Sequence, residues 1–253
     1  EHPAARGAEL RFWDEEGTAS GGPILELAAG SGRVAIGLAR KGHHVTGLEL
    51  SPGMIERAEA RAAHLPPEVR ARLRWVQGDM TRFALPGERF GLIFVAYNSF
   101  WLLSTLAKQR ACLARVRAHL AKGGRFVLDL FPPTVDDRMD EDGMTQYLPM
   151  AYRGQTVVRV KDYAWDEARK LAISNVRYYG EKHVTGEARR RSRRLISEFR
   201  YVLRLAPPEQ VRALLAREGF EVQEEYGSYA RDPLEDGAAR AIFVCGLKEE
   251  SAR

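Results

Sequence analysis

The chain has 253 residues, 45% of them hydrophobic and 29% charged, with a net charge of +5. That is enough chain for one large domain or a domain with an elaborated cap, in an ordinary globular composition. No apolar run approaches the roughly 20 residues a bilayer crossing needs, and two cysteines, Cys112 and Cys245, offer no disulfide framework.

The first predicted element is a short amphipathic helix over residues 4–15. "PILEL" then reads as a strand, and a small-residue turn from Ala28 to Gly32 leads into a helix reaching about Arg40. "HHVTGLEL" is a second strand. Ser51 and Pro52 supply an N-cap and a first-turn proline for a helix to about Ala63. "RLRWVQ" and "FGLIFVA" are the third and fourth strands. A helix over 108–120, closed by Gly123-Gly124, precedes the fifth, "RFVLDLF". Strands alternating with helices imply a parallel sheet covered on both faces.

From about Tyr147 to Leu205 the pattern changes. Three strand-like runs, "QTVVRVKDYAWD", "KLAISNVRYY" and "RRLISEFRYVLRL", follow one another without a helix, which predicts an antiparallel meander. "PPEQVRALLAREG" returns to a helix. "FEVQEEYG" and "ARAIFVCGLK" end the chain as two strands whose connection is too short for a helical crossover, so they should pair antiparallel.

The turn "ILELAAGSGRVA" satisfies the G-x-G-x-x-G/A pattern through Gly30, Gly32 and Ala35. Alone it leaves a nicotinamide, a flavin, an adenosyl sulfonium or no ligand open. The neighbours narrow the choice. Glu26, inside the first strand, suits a ligand carrying an ammonium and is a poor neighbour for a diphosphate. Glu49 ends the second strand, where a carboxylate accepts from ribose hydroxyls. Asp79, in "QGDM" after the third strand, is placed to accept from an adenine amino group, with Met80 over the ring. Three carboxylates make an anionic crevice suited to a cationic cofactor.

These segments, "LELAAGSGR", "VTGLELSPGMIERA", "WVQGDMTRF" and "FGLIFVAYNSFWLL", resemble the four successive signatures of class I S-adenosylmethionine-dependent methyltransferases. The resemblance spans residues 23–131 closely and extends loosely to the terminal helix and strand pair. "YNSFWLL" and the insertion after strand five resemble the small-molecule N- or O-methyltransferase branch. The resemblance implies an α/β, Rossmann-like, seven-stranded sheet with an antiparallel last strand and an antiparallel β insertion after strand five. It implies a core over 1–131, an insertion or lid over the acceptor site at 132–205, and a completing helix and strand pair at 206–253.

Matching positions imply that Glu26, Ala28, Gly30 and Gly32 line the methionine portion of S-adenosylmethionine. Glu49 would hold its ribose, with Leu50 and Met54 beside the adenosine. Gly78, Asp79 and Met80 would take the adenine, and Ala96 and Tyr97 would close the cofactor on the acceptor side. Ala28 departs from the family's glycine, and its methyl fits only with an ordinary negative φ. Tyr97 and Asn98 would position the acceptor, with Trp101, Phe131 and Tyr152 as acceptor contacts whose rings could hold a cation. Trp13 could join a lid, and Asp129 could orient the acceptor or cap a loop.

The implied chemistry is in-line displacement onto a small-molecule N or O atom, which needs alignment and exclusion of water more than acid–base help. No general base stands out. The six histidines show no metal-ligand spacing, and His43 and His44 are expected to face solvent at the far end of the sheet. Two alternatives remain: an RNA or protein methyltransferase docking through Arg189–Arg194, and a non-catalytic adenosylmethionine-binding module. The arginine run lacks interleaved aromatics, which argues against nucleic acid. The overall expectation is a cytoplasmic, metal-free enzyme acting on a small molecule, with a homodimer through the insertion's strand edges as an option.

Overall fold

The computed structural model describes residues 3–132, 145–152, 155–181 and 193–248. The chain divides into two compact units, Glu1–Pro132 with Pro207–Arg253, and Pro133–Ala206. No helix among the described residues is long and apolar enough to cross a membrane.

The first unit holds a seven-stranded sheet. Its strands are β1 (Ile24–Leu27), β2 (Val45–Glu49), β3 (Leu73–Gln77), β4 (Phe90–Val95), β5 (Leu120–Leu130), β10 (Phe220–Tyr226) and β11 (Ala241–Leu247), in the order β10-β11-β5-β4-β1-β2-β3. The strands β1 to β5 run parallel, and β11 is antiparallel to both β5 and β10. The sequence predicted the antiparallel final pair. Only the fold shows that the last strand enters between its partner and β5. Every residue of β1 and β4 is buried, as a parallel sheet covered on both faces requires.

Helices α1 (Pro3–Ser20), α2 (Arg33–Arg40), α3 (Pro52–Ala62), α4 (Pro67–Arg70), α5 (Leu106–His119) and α6 (Pro208–Arg217) complete this unit. Helix α2 buries Val34, Ala35, Ile36, Leu38 and Ala39 against the sheet. The first helix is longer than its predicted 4–15, and its apolar anchors explain why it docks. Trp13 is fully buried and stacks on Phe94 of β4, with ring centroids 4.3 Å apart. Trp13 is therefore core, which corrects its reading as a lid residue.

Three local expectations change. Ser51 occupies the N-cap of α3 without a side-chain capping bond; its backbone N–H instead donates to Glu49. The helix α5 ends at His119 and the chain enters β5 at once, so Gly123-Gly124 is not a helix stop. Gly123 (φ +73°) lies inside β5, where the register with β4 shifts between Phe90 and Leu92, as expected of a bulge. His43 is not solvent-facing: its Nε2 lies 2.8 Å from Asp14 Oδ1.

The second unit is a four-stranded antiparallel sheet, β6-β7-β8-β9, with β6 (Thr145–Tyr152), β7 (Gln155–Asp166), β8 (Leu171–Glu181) and β9 (Arg193–Arg204). The sequence predicted three of these strands and missed β6, whose run carries Pro149. Of the arginine run, Arg189 to Arg191 lie outside the described residues, and Arg193 and Arg194 open β9.

Candidate active site

Strand order places β1 between β4 and β2, so the connections from β1 and β4 leave toward opposite faces of the sheet. A crevice opens there, at the carboxyl ends of the strands, where open α/β sheets bind ligands. A cavity of about 420 Å³ is lined by Ala28 and Gly30 after β1, by Leu48, Glu49, Leu50 and Met54 around the end of β2, and by Gly78, Asp79, Met80 and Thr81 after β3. Ser99, Leu102 and Leu103 after β4, with Lys108 of α5, close the opposite wall. Its volume falls in the range of small-ligand sites, with an apolar lining and a few convergent polar groups.

Gly30 and Gly32 do different jobs although both have positive φ, +56° and +72°. A Cβ on Gly30 would meet no atom within 4 Å, so that backbone stays open for a ligand. A Cβ on Gly32 would overlap the Trp75 ring and come within 3.2 Å of Ala58 Cβ. Gly32 therefore serves packing at the start of α2 and is absent from the crevice lining. Ala28 has φ +55°, contrary to the negative φ its methyl was expected to need. An alanine holds this position at the cost of about 1–2 kcal/mol of left-handed strain.

Both Glu49 oxygens are aligned by the backbone: Oε2 accepts from Gly30 N–H at 2.8 Å and Oε1 from Ser51 N–H at 2.9 Å. Asp79 Oδ1 accepts from the Thr81 N–H and hydroxyl, both at 2.8 Å. Burial alone would raise this carboxyl. The Thr81 bonds, with Arg82 and Lys108, outweigh it and hold Asp79 below the usual carboxylate range. Glu26 is buried, 4% exposed, behind the crevice rather than on its lining. Its Oε2 accepts from Ala35 N–H at 2.9 Å. Desolvation pushes it up to about 8, against that bond and the Arg33 charge and with the help of Glu9 and Glu49.

The turn after β4 is the most strained stretch of the site. Tyr97 (φ +56°) and Asn98 (φ +67°) are consecutive left-handed residues, each costing of order 1–3 kcal/mol unless its surroundings impose the conformation. Tyr97 N–H donates to Asp129 Oδ2 at 2.8 Å, Asn98 N–H donates to the Asp129 carbonyl at 3.2 Å, and Phe131 N–H donates to Asn98 Oδ1. Asp129 is fully buried and also accepts from Tyr229 hydroxyl (2.8 Å) and Arg240 Nη1 (2.7 Å). Burial drives its carboxyl upward against the pull of Arg240.

Tyr97 and Phe131 meet edge to face, and Tyr97 is 40% exposed. The Arg240 guanidinium lies over both rings, 5.2 and 4.6 Å from their centroids, and Arg33 lies 5.7 Å from that of Tyr97. These π-faces already hold cations that are themselves paired, Arg240 with Asp129 and Arg33 with Glu9. Trp101 is buried, with Nε1 donating to the Phe131 carbonyl at 3.2 Å, which corrects its reading as an acceptor contact. Ala96 is also buried in the core. Tyr152 ends β6, and its side chain lies outside the described residues.

The methyltransferase domain family matches residues 24–124, the segment that builds this crevice. Over nearly the whole chain the fold is that of solved methyltransferases. The CcbJ methyltransferase of Streptomyces caelestis superposes with a TM-score of 0.79 at 23% identity, covering 98% of this chain and 90% of that one. CalS10 of Micromonospora echinaspora, an amino pentose methyltransferase solved with S-adenosylmethionine bound, gives 0.67 at 25%, covering 94% and 89%. The glycopeptide N-methyltransferase MtfA, solved with the same cofactor, gives 0.62 at 26%, covering 95% and 93%.

The fold is that of class I S-adenosylmethionine-dependent methyltransferases.

The chain spans about a third or less of the length of the curated relatives it matches, 36% of one and 17% of others. No cluster of metal-ligating side chains occurs among the described residues. Sequence reading missed Ser99, Leu102, Leu103 and Lys108, which form one crevice wall, and Tyr229 and Arg240. In "YNSFWLL" nothing local tells which of the large residues turn inward; the 3₁₀ turn Ser99–Leu102 buries Phe100 and Trp101 and presents Leu102. Tyr229 and Arg240 lie about a hundred residues further along the chain than the carboxylate they bond. No local signal links them.

Proposed function

We propose that this chain transfers a methyl group from S-adenosylmethionine to a nitrogen or oxygen of a small molecule. The observation that carries the reading is one crevice in which Glu49 and Asp79, at neighbouring strand ends, face open backbone at Gly30. S-adenosylmethionine supplies an activated methyl on a sulfonium. The chain's part is to bind, align and keep water away. In this reading Glu49, held by two backbone N–H groups, keeps lone pairs for the ribose hydroxyls, with Leu50 and Met54 against the adenosine. Asp79, ionised and fixed by Thr81, accepts from the adenine amino group beside Gly78 and Met80. Ala28 and Gly30 offer backbone to the methionine portion, and Glu26 acts from behind it. Tyr97 and Asn98 position the acceptor, with Phe131 beside them.

A small acceptor is supported by the likeness to an amino pentose and a glycopeptide N-methyltransferase. No side chain of the turn is placed as a general base, which suits an acceptor amine arriving neutral. The two buried free thiols fit a reducing, cytoplasmic setting.

Calorimetric titration with S-adenosylhomocysteine, beside NAD and NADP, tests the cofactor assignment. Glu49→Ala should weaken adenosylhomocysteine binding by about tenfold or more, the equivalent of about 1.4 kcal/mol. Unchanged affinity would refute the ribose role. A methyl-acceptor screen over small amines, phenols and carboxylates, read by adenosylhomocysteine release, tests the acceptor class.

A further inference from the structure

We propose that Asp129 is a positioning residue that shapes the cofactor crevice through the Tyr97–Asn98 turn, without touching the ligand. The inference rests on the reading above. Two consecutive left-handed residues bearing side chains will not hold that conformation by themselves. The restraints that hold them converge on the end of β5. The Asp129 side chain takes Tyr97 N–H, its carbonyl takes Asn98 N–H, and Phe131 N–H returns a bond to Asn98 Oδ1. The carboxylate is itself fixed by Tyr229 and Arg240, from the connection between β10 and β11.

What this clasp sets is the path of the chain into the 3₁₀ turn, which opens at Ser99 immediately beyond it. Asn98 is that turn's N-cap, and Trp101 N–H donates to the Asn98 carbonyl at 2.9 Å. Ser99, Leu102 and Leu103 are the crevice wall opposite Glu49 and Met54. Leu103 N–H bonds back to Phe100, whose side chain is locked in the core, so the wall moves with the turn that precedes it. A buried carboxylate thus fixes a ligand-facing surface two residues removed from its own contact. The C-terminal strand pair is drawn into the site by the same group.

The test is adenosylhomocysteine affinity by calorimetry, with thermal melting in parallel. Asp129→Asn should weaken binding about tenfold or more in the folded protein. Because that change leaves Arg240 beside a neutral partner and can prevent folding, a second pair of variants addresses the turn directly. Asn98→Ala and Asn98→Gly both delete the bond from Phe131, but only glycine takes the left-handed conformation freely. Alanine should cost about tenfold in affinity, whereas glycine should stay within about threefold of wild type. A purely structural Asp129 would lower the melting temperature and leave affinity alone. The inference is overturned if folded Asp129→Asn binds within about twofold of wild type, or if Asn98→Ala and Asn98→Gly bind alike. Wild-type protein that fails to bind adenosylhomocysteine at all would overturn the cofactor assignment, and this inference with it.

Discussion

Alanine at Gly30 and at Gly32 should separate two uses of glycine that a motif writes identically. Both positions have positive φ, so each substitution incurs about 1–2 kcal/mol of left-handed strain, partly offset by the roughly 0.5–1 kcal/mol of chain entropy that glycine loses on folding. At Gly30 nothing lies within 4 Å of the new methyl, and strain is the whole effect, a net loss of about 1 kcal/mol or less. At Gly32 the methyl overlaps the Trp75 ring and crowds Ala58, and overpacking of this kind adds typically about 1–3 kcal/mol. The expected total is about 2–4 kcal/mol. At about 2–4 °C per kcal/mol for a domain of this size, Gly30→Ala should melt at most about 4 °C below wild type and Gly32→Ala about 5–15 °C below. Circular dichroism melting reads both, and tryptophan fluorescence reports Gly32→Ala, since Trp75 is the ring displaced there. Adenosylhomocysteine affinity should show the reverse order, with Gly30→Ala weakened most because its methyl enters the crevice. Equal melting temperatures for the two variants would refute the claim that space, rather than backbone conformation, divides them.

Ala28→Gly should be stabilising, unusually for a glycine in a folded chain. Relief of about 1–2 kcal/mol of strain against glycine's entropy leaves a gain of up to about 1 kcal/mol, a rise of roughly 1–3 °C in a melting scan. A fall in melting temperature would mean the methyl packs more than its backbone strains. Glu26 predicts a pH dependence. Its folded value of about 8 lies above its ordinary 4.5, so the folded state holds the proton longer than the unfolded one. The stability it supplies is complete below about pH 4.5 and is lost as pH rises through about 8. Urea unfolding of wild type should therefore weaken across this window by up to about 1.4 kcal/mol per pH unit relative to Glu26→Gln, which keeps an acceptor for Ala35. Parallel pH profiles for the two proteins would sink that assignment.

Much of the site was legible in the sequence, for physical reasons that are local. Gly30, Glu49, Leu50, Met54, Gly78, Asp79 and Met80 all line one crevice, because each lies at or just beyond the carboxyl end of a strand and parallel strands bring those ends to one edge. Periodicity cannot report which large residue of a turn faces inward. Trp101 was read outward and is buried, while Leu102, its neighbour, is 50% exposed. Backbone conformation was equally hidden at Ala28, Tyr97 and Asn98, all of positive φ; the latter two are held there by bonds to Asp129 and Phe131 some thirty residues away.

The order of apolar runs, turns and acidic strand ends therefore determined by itself a parallel sheet, an antiparallel final pair and an acidic ligand crevice, since each is signalled by patterns within a few residues of one another. The tertiary structure alone decided that β11 lies between β5 and β10, that Glu26 sits behind the crevice, and that Asp129 answers to Tyr229 and Arg240. The first and last of those outcomes depend on groups about a hundred residues apart meeting in the buried interior. There a carboxylate must take whatever donors the packing brings to it, and no stretch of sequence around Asp129 names them.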